Sequence, residues 1–161
     1  VKRHPALQDL SRDHHTLLLH AQRLQQGADT DPQTALKAAR NFLSYWTGAC
    51  IDHLDEESQF VVPQSSDSGI QGRFNMLEEV LREAADGLRV SMMDPTYFRP
   101  ALRACAEALR AHVTFCEANL FMDVQDRLGD RIQALGNHMT KFRKERRPQA
   151  IGPDAQENCY L

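Results

Sequence analysis

Leu102, Cys105, Leu109, Cys116, Leu120, Val124 and Leu128 recur at threes, fours and one seven, the spacing that lines one face of a helix. A stripe this long can be buried only against other helices with stripes of their own. The chain supplies them. Leu7, Leu10, Leu17, Ala21 and Leu24 set a first helix with Pro5 in its first turn, which "GADTDP" ends. Asp31 and Pro32 form a cap and first-position pair for a second helix, from about Pro32 to Val62, which Pro63 stops. Ile70, Phe74, Leu77, Leu81, Ala84 and Leu88 mark a third. "MMDPTYFRP" breaks the chain, and a fourth helix runs from about Pro100 to Leu128, closed by Gly129. Asp130 then caps a fifth, more polar segment to about Arg147. Period-two alternation never lasts long enough for a strand. The expected class is all-α: an antiparallel up-down-up-down four-helix bundle with an additional C-terminal helix. Residues 1–147 form that domain, and 148–161 a flexible tail without periodicity.

Polar residues interrupt the stripes. Trp46, Cys50, His53, Glu57, Phe60 and Val61 share a face, so an imidazole and a carboxylate occupy core positions at i and i+4. His14 falls in the seam of the first helix and His112 on the stripe of the fourth. Glu117 lies five residues beyond His112, about 140° around the helix, and must reach in from the flank. On the third helix Glu78 stands between Phe74 and Leu81, whereas Glu79 and Glu83 read as a solvated face. Burying these groups separately would cost several kcal/mol each, and a shared cation would satisfy them together. The candidate metal ligands are therefore His14, His53, Glu57, Glu78, His112 and Glu117. A nitrogen and oxygen donor set suits iron, manganese or zinc, and bridging carboxylates favour two ions over one. A buried His/Glu network without metal is the competing reading.

A net charge of −3 gives no bulk electrostatic reason to expect nucleic acid or an anionic membrane as partner. No apolar run reaches the ~18 residues of a membrane span, and "VKRHPALQDL" lacks the apolar region of a secretory signal. A cytoplasmic location is expected. Cys50, Cys105, Cys116 and Cys159 show no CxxC spacing and read as reduced structural thiols. Cys50 and Cys116 pack beside ligands, with ligation or oxidation of Cys116 as the alternative. His4, His20 and His138 lie off the ligand pattern and are expected at the surface, as is the basic run "KFRKERR".

These residues carry a pattern that resembles the hemerythrin-like, or HHE cation-binding, family over roughly residues 5–130. "LSRDHH" is similar to its first-helix L-x-x-[DE]-H, "HLDEESQFVVP" to its second-helix H-x-x-x-E, and "HVTFCEANLF" to its fourth-helix H-x-x-x-x-[DE]. The resemblance implies two non-haem iron ions, with Glu57 and Glu117 bridging and His14, His53 and His112 terminal. On the third helix "LEEVLRE" resembles the family's E-H-x-x-[IL]-R with Glu78 in the histidine's place. An anionic ligand there stabilises oxidised metal and works against reversible oxygen carriage. The function implied is sensing or binding of oxygen, peroxide or iron. A di-iron carboxylate oxidase or peroxidase is the alternative, and a metal-stabilised interaction module a further one.

Overall fold

The computed structural model describes residues 2–146, and among them every regular element is helical. A short 3-10 turn, Pro5–Leu7, leads into α1, Gln8–Ala28. The second helical run consists of α2 (Pro32–Tyr45), a π turn (Trp46–Cys50), α3 (Ile51–Glu56), a second π turn (Glu57–Val61) and a 3-10 end at Val62–Gln64. Next comes α4, Ser68–Ser91. The fourth run joins α5 (Pro95–Phe115) to α6 (Phe121–Leu128) through a π turn at Cys116–Leu120. Gly129, at φ +50°, ends it, and α7 spans Ile132–Arg146. The expected flexible tail, residues 148–161, and with it Cys159, lies outside the described residues.

Aspartates start three of these helices. Asp31 accepts from the amides of Gln33 and Thr34, Asp67 from those of Gly69 and Ile70, and Asp94 from that of Thr96. The fourth run accordingly begins at Pro95 and not near Pro100. Asp94-Pro95 repeats the Asp31-Pro32 device, and Pro100 is carried inside the helix at an exposed position.

Each helical run touches two others: α1 packs on α2 and α5, and α4 on α2 and α5. The core inside this ring is divided. One apolar cluster contains Leu17, Leu24, Phe42, Leu54, Leu88 and Leu109. The other contains Leu7, Leu10, Val61, Phe74, Phe121 and Val124, and α7 completes it with Ile132, Leu135 and Met139. α7 approaches so closely that a Cβ on Gly136 would lie 2.7 Å from that of Ala6, which makes glycine the fitting residue there. Between the clusters, each run passes through one level: Leu10 to Leu17 on α1, Leu54 to Val61 on the second run, Phe74 to Leu81 on α4, and Leu109 to Cys116 on the fourth run. That level is polar.

Candidate metal centre

His14, His53, Glu57 and His112 all lie at this level and are at least 98 % buried. Glu57 is at the middle. Its Oε1 lies 3.1 Å from His14 Nε2, and its Oε2 lies 2.9 Å from His112 Nε2 and 3.5 Å from His53 Nε2. Burial alone would push its carboxyl pKa up, but the His53 and His112 charges and the hydrogen bonds from His112 and His14 outweigh it. The group is held well below the usual carboxylate range. Glu57 opens a π turn, which adds a residue to the helical turn, and Glu56 before it points the other way, onto α7.

Two imidazoles are oriented from behind by carboxylates. His53 Nδ1 is 3.3 Å from Asp13 Oδ2, and His14 Nδ1 is 2.7 Å from Glu117 Oε1. A carboxylate only accepts, so each ring donates through Nδ1 and presents Nε2 to Glu57. This is the arrangement that fixes the tautomer of metal-binding histidines. His53 Nε2, although buried and aimed at Glu57, makes no hydrogen bond. In the metal-free chain, burial lowers the affinity of His14 for a proton, but hydrogen bonds to Glu117 and Glu57 overcome this and raise its pKa to about 9. Phe121 stacks on His14 with ring centres 5.3 Å apart, and Phe74 meets His112 edge-on at 5.7 Å. The π turn at Cys116–Leu120 brings Phe121 inward beside Leu120.

Two of the expected ligands stand elsewhere. Glu117 is half-buried and fully engaged: Arg3 donates to its Oε2 at 2.6 Å, and Ser11 to its Oε1 at 2.7 Å. It holds His14 from the rim, and its pKa falls to about 2 because bonds from His14 and Ser11 outweigh the effect of burial. Glu78 is paired with an arginine. Its Oε1 accepts from Arg82 Nε and Nη2, at 3.0 and 2.6 Å, because i, i+4 spacing on α4 places the guanidinium within reach. Between Phe74 and Leu81 the buried α4 residue is Leu77. Cys116 packs against the site, its Sγ 3.8 Å from both Glu57 Oε2 and His112 Nε2. The ligand atoms of His14, Glu57, His112 and Cys116 fall within 4.8 Å of one another, so this group can hold a metal ion.

The basic C-terminal run is not merely solvated. Arg143 donates to both oxygens of buried Glu56 at 2.8 Å and to Asp13 at 2.7 Å, and Arg146 donates to Asp52 at 2.6 Å. Arg143 therefore supports the carboxylate that orients His53. Only the neighbouring "RDHH" acid gave a sequence signal for this link; the partner is 130 residues away. A cleft of about 220 Å³, lined by Asp13, His53, Glu56, Phe142, Arg143 and Arg146, opens beside the site. His20 is also corrected: it is buried, stacked on Tyr45 at 4.5 Å and tilted against Phe42. His138 is exposed, and His4 caps the first 3-10 turn by accepting from Ala6.

No family model, curated protein or solved structure matches this chain. No helix among the described residues is long and apolar enough to cross a membrane.

Proposed function

We propose that the chain is a hemerythrin-like non-haem iron protein that binds or senses oxygen, peroxide or iron. In this reading its helices form an antiparallel up-down-up-down bundle with α7 laid across one end, and Glu57 with the imidazoles around it would hold two irons. The observation that carries it is the central carboxylate, fully buried, with an imidazole Nε2 facing Oε1 and two more facing Oε2. Connections of a few residues between successive runs support the antiparallel order.

The donors fit such a group. His53 Nε2 is an orphaned buried nitrogen, and a metal would satisfy it. Bound iron would supply one-electron redox chemistry and a position for a small oxygen species. The chain does the rest: Asp13 and Glu117 hold the rings, Phe74 and Phe121 cover them, and the cleft beside His53 admits small molecules. Manganese and zinc suit the same nitrogen and oxygen donors. An oxidase or peroxidase of the di-iron carboxylate kind has a carboxylate-rich shell, and here Arg82 holds the third inward-facing carboxylate, Glu78. Binding or sensing is therefore the better supported use of the site.

The test is metal analysis of protein purified without added metal, with spectra in air and after a reductant. Two irons per chain, with ferric absorption that a reductant bleaches, are expected. A chain that takes up no metal overturns the reading, and sustained consumption of peroxide over many cycles moves it to the enzyme class.

A further inference from the structure

We infer that Cys116 is a metal ligand, giving a thiolate to the Oε2 side of Glu57 where the sequence pattern offers Glu117; this rests on the metal-centre reading above. His112 and Cys116 are i and i+4 on one helical face, a spacing that lets two side chains share an ion. Glu117, one residue on, turns to the rim. Cys116 is fully buried, whereas the Glu117 side chain is 31 % exposed and held by Arg3, Ser11 and His14.

The distances support the assignment. Sulfur at ~2.3 Å and nitrogen or oxygen at ~2.0 Å from one tetrahedral ion lie about 3.5 Å apart, and two nitrogen or oxygen donors about 3.3 Å. Here Sγ is 3.8 Å from both Glu57 Oε2 and His112 Nε2, which are 2.9 Å from each other. Independently, the unpartnered Nε2 of His53 lies 3.5 Å from the same Oε2. Glu57, His112 and Cys116 thus converge, together with His14, within 4.8 Å, and His53 Nε2 stands on the Oε2 side, so the chain assembles imidazoles, one carboxylate and one thiol. Such a mixed set takes a borderline divalent cation, namely zinc, ferrous iron or cobalt. On binding, the S–H bond breaks, the proton leaves to solvent and the sulfur lone pair forms the metal bond, with no change of oxidation state. Glu117 becomes a positioning residue that acts through His14.

The experiment adds cobalt(II), without oxygen, to the reduced, metal-stripped full chain and records near-ultraviolet absorption and cobalt-edge X-ray absorption. A sulfur-to-cobalt charge-transfer band and a sulfur neighbour at ~2.3 Å are expected. Both should vanish in Cys116→Ser and Cys116→Ala and persist in Cys50→Ala and Cys105→Ser. Glu117→Gln should keep the band and bind cobalt about 10- to 100-fold more weakly, as loss of an orienting partner does. Cobalt bound without a sulfur neighbour in the wild-type chain, a result independent of how any variant folds, overturns the inference and leaves the metal centre standing. A band that survives Cys116→Ala and is lost in Cys50→Ala overturns it too. No uptake of cobalt, zinc or iron overturns the metal centre itself.

Discussion

His14 and His20 are buried on the same helix, six residues apart, and the structure treats them in opposite ways. His14 lies at the polar level between the two apolar clusters, with a carboxylate against each ring nitrogen, and its proton affinity is raised. His20 lies beside the larger apolar cluster, against Tyr45 and Phe42, and burial together with the Arg23 charge lowers its pKa to about 4. Burial alone does not make a site. What distinguishes the polar level is that acidic side chains converge on, or support, the imidazoles: Glu57 and Glu117 from two other helical segments and Asp13 from α1 itself, more polar groups than a packed core would tolerate.

The comparison breaks most visibly at Glu57. Glu57→Ala should abolish metal binding and cost about 3 to 5 kcal/mol in the metal-free chain, because it strips the shared acceptor from three buried imidazoles. Metal content and denaturant midpoints measure both effects; a variant that keeps its metal and its midpoint would remove Glu57 from the centre of the site.

The next effect sharpens the other side of the comparison. The folded pKa of His20, about 4, lies below the unfolded value of 6.5, so the unfolded chain binds more protons between these pH values. Stability conferred by the neutral ring is fully present above pH 6.5 and is lost as pH falls toward 4, by up to about 3 kcal/mol. His20→Phe should flatten that part of the stability curve without changing metal content. An unchanged slope in the variant would show that His20 is not neutral and buried in solution.

The smallest effect is expected at Glu78. Its ion pair with Arg82 is partly exposed, so Glu78→Gln should cost less than about 1 kcal/mol and leave the metal stoichiometry intact. Loss of metal in this variant would restore Glu78 as a ligand and place α4 among the walls that coordinate.

Helical periodicity alone determined the all-helical class and the inward faces on which His14, His53, Glu57 and His112 sit, because a 3.6-residue repeat fixes the angle of each side chain around its own axis; that the four share one level was set by the packing. It also marked Pro63 and Gly129 as ends, since proline lacks an amide donor and glycine accepts positive φ. Periodicity says nothing about what waits across a helix boundary. The claim of Arg82 on Glu78 is local, an i, i+4 pair, but only the tertiary structure decided that Arg143 reaches Asp13 and Glu56, and that His20 meets Tyr45. It likewise turned Cys116 inward and Glu117 to the rim, where Arg3 and Ser11 wait. Those outcomes depend on partners brought from distant parts of the chain and on π turns that insert a residue into the helical count at the site, neither of which a local repeat encodes.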